Sequence, residues 1–166
     1  MGKSGIINII FEVFAGADTM DEFIKELDQN LDYLEHEINA DELIIYVSSN
    51  RKSCNCPYCN SPSTRVHSRY AKSFQDLPIM GKKTKIVIEN RKFFCDNPDC
   101  DFTTFAERFD FLAQNGKKTK RLIDKIVDVS LNTSSVAASK TLRNGIADVG
   151  KSTICNLLKK RYADSQ

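Results

Sequence analysis

Apolar residues recur at three- and four-residue spacing from Met20 to Ile38, at Phe23, Ile24, Leu27, Leu31, Leu34 and Ile38, with acidic residues between them. This period predicts an amphipathic helix over Met20–Ile38, with Asp18 or Thr19 as its N-cap. The run L-I-I-Y-V at 43–47 predicts a strand. Between residues 51 and 110 the helical period is lost. Short β-type runs at Arg65–Tyr70, Lys85–Glu89, Arg91–Phe94 and Phe102–Phe105 are punctuated by Pro57, Pro62, Pro78, Gly81 and Pro98. Several short antiparallel strands and no long helix are expected there. Beyond the Asn115-Gly116 break the helical period returns. Lys118–Leu131 places Leu122, Ile123, Ile126, Val127 and Val129 on one side. Ser135–Arg143 follows an N-cap choice within Asn132–Ser135, and a third helix covers Lys151–Tyr162. Gly145 suits the left-handed position just past the second of these helices.

Charge divides the chain in the same places. Of 166 residues with a net charge of +2, residues 1–50 carry two basic and eleven acidic side chains, a net of −9. Residues 51–166 carry 22 basic and 11 acidic side chains, a net of +11. A basic surface suited to a polyanion, joined to an acidic segment with a different task, is implied. No apolar run approaches the roughly 18–20 residues that would cross a bilayer. The apolar stretch Ile6–Phe14 is short and contains Glu12, so no membrane partner and a cytoplasmic protein are expected.

Six cysteines then add chemistry. Cys56-Pro-Tyr-Cys59 and Cys95-Asp-Asn-Pro-Asp-Cys100 form two pairs separated by residues 60–94, room for strands that fold one knuckle onto the other. Four thiolates from two knuckles make the closed tetrahedral set of structural Zn2+. Pro57 and Asn60 turn the first knuckle, Asn60 being a residue that tolerates the left-handed conformation, and Asn97-Pro98 turns the second. Cys54 competes with Cys56 as first ligand, because Cys54 to Cys59 repeats the spacing of Cys95 to Cys100. Cys56 is favoured for its tighter C-P-x-C knuckle, with His67 a weaker rival. Clustered cysteines without a secretory signal favour metal over disulfides.

The three C-terminal helices have the ingredients of a helix-turn-helix. The third buries Ile154, Leu157 and Leu158. Its other face presents Lys151, Ser152, Thr153, Asn156, Lys159, Lys160 and Arg161, short polar residues for base edges and cations for phosphates. Residues 117–161 hold eleven basic and three acidic residues, a local +8. Val149 and Ile154 form a hydrophobic-staple pair if Gly150 is the N-cap. The string G-I-A-D-V-G-K-S-T at 145–153 satisfies the phosphate-loop pattern, but what precedes it reads as helix where that loop needs a buried strand. Neither nucleotide binding nor metal catalysis is expected.

With both segments assembled, C-P-Y-C-N-S at 56–61, R-V-H-S-R-Y at 65–70, D-L-P-I-M-G at 76–81 and K-I-V-I-E-N-R-K-F-F-C at 85–95 resemble the N-terminal zinc-finger and helix-turn-helix region of bacterial insertion-sequence transposases of the ISL-three family. The resemblance covers roughly residues 43–161 and implies Cys56, Cys59, Cys95 and Cys100 as zinc ligands. In that family a catalytic domain with an Asp-Asp-Glu triad follows. This sequence stops at Gln166, so no enzyme activity is expected of it.

The reading is an α+β chain, with an acidic helical segment (1–42), a β-rich zinc-ribbon-like domain (43–112) and a helix-turn-helix domain (113–166). Its expected function is zinc-dependent recognition of transposon-end double-stranded DNA, nucleoid-associated when bound. Self-association or a full-length transposase is the expected protein partner. The alternative is a zinc-ribbon interaction or regulatory protein acting on such a transposase or on another partner.

Overall fold

The computed structural model describes residues 17–113 and 116–163. The expectations placed on Ile6–Phe14 and on Asn115 lie outside them. Four helices and seven strands occur among the described residues, an α+β architecture. In chain order they are α1 (Ala17–Lys25), β1 (Leu31–Ile38), β2 (Glu42–Ser49), β3 (Cys54–Asn55), β4 (Pro62–Ser63), β5 (Val66–Ile79), β6 (Lys82–Phe94), β7 (Thr104–Ala106), α2 (Lys120–Leu131), α3 (Ser135–Arg143) and α4 (Lys151–Ala163). The five-stranded sheet has the order β1-β2-β6-β5, with β7 also paired to β6, and β3 and β4 form a separate two-stranded ladder. Two compact units emerge. Of the described residues, one comprises those up to Glu35, Tyr46–Lys72 and Ile88–Phe109; the other comprises His36–Ile45, Ser73–Val87 and those from Asp110 on.

The helix expected over Met20–Ile38 is a correction. Only Ala17–Lys25 is helical, so Asp18 and Thr19 lie inside the helix instead of capping it, and Leu31–Ile38 is a strand. Local polar chemistry ends the helix. The Asp28 carboxylate accepts from the Asn30 backbone N–H (2.9 Å), and the Asp28 carbonyl accepts from Leu31 (3.0 Å), which turns the chain. The Asp21 carboxylate then accepts from the Tyr33 N–H (3.1 Å) and ties the new strand to the helix. Ile24 and Leu31 are fully buried, whereas Leu34 lies at the surface. A helical period was present in the sequence, but no single apolar face uses it.

The short strands expected between 65 and 94 are also corrected. β5 runs for 14 residues and β6 for 13. β5 passes through Pro78, which a strand at the sheet edge tolerates because one side of its backbone needs no partner. The two strands join through Met80 (φ 51°) and Gly81 (φ 74°), the pair of positive φ angles that a tight hairpin turn requires.

In the second unit the C-terminal helices surround one core of Leu122, Ile126, Ala138, Leu142, Ala147, Val149 and Ile154, with Leu77 of β5 and Leu157 and Leu158 of α4 packed against it. Thr119 caps α2 by accepting from the Leu122 N–H (3.3 Å), and Ser134 caps α3 by accepting from the Ala137 N–H (3.3 Å). α2 therefore starts two residues later than the period alone suggests. Gly145, at φ 93°, follows the Asn144 C-cap of α3. Ile154 donates to the Gly150 carbonyl (3.1 Å), which places Gly150 at the start of α4, and Val149 and Ile154 share the core as a staple pair would. The Ser139 hydroxyl and the Arg143 guanidinium both donate to the Val149 carbonyl, at 2.8 and 3.1 Å, and hold the loop that enters α4.

The D-L-P stretch acquires a structural role. Asp76 of β5 is fully buried, accepts from the Thr119 hydroxyl (2.6 Å) and is clamped by the Arg121 guanidinium. Gln75 exchanges backbone hydrogen bonds with Lys117 (2.8 Å) and Thr119 (3.0 Å). The carboxylate thus anchors the first turn of the helical bundle. Asp76→Ala is expected to destabilise the second unit by about 2 kcal/mol, within the range for losing charge-assisted hydrogen bonds. Water can reach the partly exposed Arg121 once its partner is gone, which limits the cost. Chemical denaturation of wild type and variant checks this value.

Candidate metal centre and basic helix

Each cysteine knuckle closes a small hairpin. In the first, Cys54 pairs with Ser63 and Asn55 with Pro62. Inside that ladder Cys56 donates its N–H to the Ser61 carbonyl (2.8 Å), and Asn60 donates to the Cys56 carbonyl (2.8 Å). Asn60 adopts φ 61°, the left-handed conformation its residue type permits. In the second knuckle β6 returns as β7 with Phe93 opposite Phe105 and Phe94 opposite Thr104. The Asn97 side chain accepts from the Asp99 N–H (3.0 Å), its carbonyl accepts from Cys100 (3.2 Å), and Cys95 donates to the Thr103 carbonyl (2.9 Å).

These turns bring four sulfurs together. The Sγ atoms of Cys56, Cys59, Cys95 and Cys100 all lie within 4.8 Å of one another, with Cys56–Cys100 at 4.0 Å and Cys59–Cys95 at 3.5 Å. A Zn–S bond of ~2.3 Å in a tetrahedron puts sulfurs ~3.8 Å apart. The donor set and its spacing therefore suit a structural Zn2+ site. The protonation chemistry agrees. Hydrogen bonds from Ser61, side chain before backbone, pull the Cys59 thiol down to about 6. On Cys95 the Asn97 N–H acts to lower the value, but burial and the neighbouring thiols push it up to about 12. Four sulfurs this close do not all ionise unless a cation offsets their charge.

Cys54 stands apart. It flanks the cluster, and burial first, with the Glu107 carboxylate second, pushes its thiol up to about 11. Cys56 completes the close set in its place. His67 is exposed and lies edge-on to Phe94, with ring centroids 4.8 Å apart.

Two features around the centre had no strong sequence signal. Tyr58 and Phe102 stack at 3.6 Å between centroids and clip the knuckles together. Each lies two residues after a ligand-type cysteine, Cys56 and Cys100, a symmetry visible in the sequence once the pairs are aligned. Beneath the ribbon, Arg91 and Glu107 form a buried bidentate pair at 2.8 and 3.0 Å. Arg91 also donates to the Ser49 hydroxyl (2.9 Å) and the Arg51 carbonyl (3.0 Å), and Ser49 donates to Glu107 (2.5 Å). Nothing in the local pattern marks Arg91 as buried, since it sits in a strand among other charged residues.

In the second unit, the seven α4 residues singled out from sequence, Lys151, Ser152, Thr153, Asn156, Lys159, Lys160 and Arg161, are all exposed, and Ile154 is fully buried on the opposite side. Arg161 lies 3.4 Å from Asp124 of α2 in an exposed pair. The phosphate-loop string at 145–153 spans the connection from α3 and the first turn of α4. Seven residues, 144–150, separate α3 from α4, a longer connection than the three or four residues of a minimal helix-turn-helix.

Residues 52–100 match the family model for the zinc-finger of transposase IS204/IS1001/IS1096/IS1165, a segment that spans both cysteine knuckles. No curated protein and no solved structure matches the chain. Among the described residues no helix is long and apolar enough to cross a membrane.

Proposed function

We propose that this chain is a zinc-dependent DNA-binding module of the transposase type, in which α4 meets duplex DNA at transposon ends. Zn2+ is held by Cys56, Cys59, Cys95 and Cys100 as a structural ion. The observation that carries the reading is the pairing, in one chain, of a transposase-type zinc finger with a bundle whose last helix turns seven polar and cationic side chains to solvent. The three-helix core fixes the orientation of α4 through Ile154, Leu157 and Leu158. Its first two turns offer Ser152, Thr153 and Asn156 toward base edges, and its last turns offer Lys159, Lys160 and Arg161 toward phosphates.

Titrating the zinc-loaded protein against duplexes across a salt series tests this. The logarithm of affinity is expected to fall linearly with that of salt concentration, at about 0.9 per phosphate contacted. Lys160→Glu should weaken all duplexes alike and flatten that slope by about 1 or more, because it removes a phosphate contact and adds a repulsive charge. Asn156→Ala should change the ranking of sequences, by about 1–3 kcal/mol at the base pair it reads. Salt-independent binding, or equal losses on every duplex from Asn156→Ala, overturns the assignment of α4.

A further inference from the structure

Within the first unit the two faces of the β6–β7 ladder differ. Arg91, Phe93, Phe105 and Glu107 are buried on one face. Successive side chains of a strand point to opposite faces, so Lys92 and Ala106, which are direct cross-strand partners, lie together on the other. Glu107 donates its N–H to the Arg91 carbonyl (2.8 Å), which carries the pairing one residue past β7 and puts Arg108 on the same outer face. Ala106 and Arg108 are exposed and Lys92 is partly so. Neither Lys92 nor Arg108 has an acidic partner among the described residues, and the same holds for exposed Lys52. The Arg108 guanidinium lies over the Tyr58 ring, 5.7 Å from its centroid, a contact that orients the group and leaves its charge intact. Arg65 and Arg69, in contrast, are held by Asp96 (2.9 Å) and Glu89 (3.1 Å). The remaining exposed carboxylates between residues 88 and 109, Asp99 and Asp101, stand on the knuckle loop outside the ladder.

A cavity of about 260 Å³ lies beside this face, walled in part by Arg108, Ala106, Ser53 and Asn55. Arg51 and Glu107 also line it, but both are engaged: Arg51 by Asp28 (2.6 Å), and Glu107 by Arg91 and Ser49. The donors that remain are the Arg108 guanidinium, the Ser53 hydroxyl and the Asn55 amide, which spends one hydrogen on Asn60 (3.4 Å). From this we infer that the outer face of the zinc ribbon holds backbone phosphates of duplex DNA, one at the cavity beside Arg108 and one at Lys92. The inference rests on the reading of the chain as a duplex-DNA binder and adds a second contact in the other unit, separate from α4. A tetrahedral oxyanion matches a cation flanked by a hydroxyl and an amide, and the small Ala106 side chain lets a sugar–phosphate backbone come close to the strands. Contacts of this kind raise affinity and fix orientation without reading sequence. The ribbon thereby contributes directly to DNA affinity, beyond its own folding.

Duplex titrations of the zinc-loaded full chain across a salt series test the face. Lys92→Gln and Arg108→Gln should each flatten the dependence of log affinity on log salt by about 0.9, and the double variant by about 1.8, with the ranking of duplex sequences unchanged. Lys92→Arg and Arg108→Lys keep the charge and should keep the slope. Circular dichroism and zinc content confirm that each variant is folded. A double variant with the wild-type slope overturns the inference, as does a loss that the charge-retaining variants share, since that would mark a structural role. The two DNA surfaces fail separately. A loss with Lys160→Glu but none with the double variant keeps α4 and removes this face. A loss with the double variant but none with Lys160→Glu keeps this face and removes α4. A wild-type chain that binds no duplex defeats both.

Discussion

Chelation of zinc is expected to unfold the cysteine ribbon and abolish duplex binding with it. The secondary structure around the knuckles is slight: β3 and β4 have two residues each and β7 has three. The local core has only Cys56, Phe93 and Phe105 fully buried. At roughly 1.5–3 kcal/mol for each buried apolar side chain, that core does not offset the ordering of the two loops, at about 1–2 kcal/mol per residue for the backbone alone. Structural zinc sites contribute about 10–16 kcal/mol in small zinc-finger peptides, which makes the ion the principal source of stability for this segment. Far-ultraviolet circular dichroism and zinc content, followed through chelator addition and zinc return, measure the effect. Serine in place of Cys59 or Cys95 should release the ion, whereas Cys54→Ser should retain it, since Cys54 stands outside the close set beside Glu107. Equal zinc loss from Cys54→Ser and Cys59→Ser, or an unfolding curve indifferent to chelator, would falsify the assignment.

Glu107→Ala should cost about 3–5 kcal/mol of stability, the range for breaking a buried ion pair from one side. The carboxylate is fully enclosed and the Arg91 side chain is 9% exposed, so the arginine left behind would be a buried cation without its bidentate partner. A guanidinium stays protonated in proteins, so neutralisation of the arginine offers no escape. The Ser49 hydroxyl loses its acceptor in the same step. Denaturant unfolding of the zinc-loaded protein provides the value. The matched control is Glu89→Ala, which breaks the exposed pair with Arg69 and should cost less than about 1 kcal/mol. Similar losses from both substitutions would show that burial of the Arg91–Glu107 pair carries no extra weight.

Much of the candidate metal site was legible because its chemistry is local. Two cysteine pairs, each with its own turn residue, specify the knuckles whatever surrounds them, and Asn60 takes the left-handed conformation its side chain allows. The helices α2, α3 and α4 were legible for the same reason. Their caps and apolar periods lie within a few residues of each other, as Ser134 with Ala137 and Val149 with Ile154 show. The residues from Met20 to Ile38 were misread because a helical period survives there without one face to bury. Asp28 turns the chain, and the strand that follows joins the sheet beside β2.

What the sequence by itself determined is therefore the α+β class, the two cysteine knuckles with Cys59, Cys95 and Cys100, the three-helix order and the cationic face of the last helix. Each rests on interactions between residues close in the chain, or on the spacing of paired cysteine ligands. What only the tertiary structure decided is where distant charges meet. Arg91 finds Glu107 and Ser49, Asp76 finds Thr119 and Arg121, and Cys54 is drawn toward Glu107 and out of the metal set. It also decided that β1 and β5 occupy the outer places of one sheet. Charge and burial at these positions depend on partners about 15–60 residues away, and no periodicity of 2 or 3.6 residues encodes which partner a side chain will face.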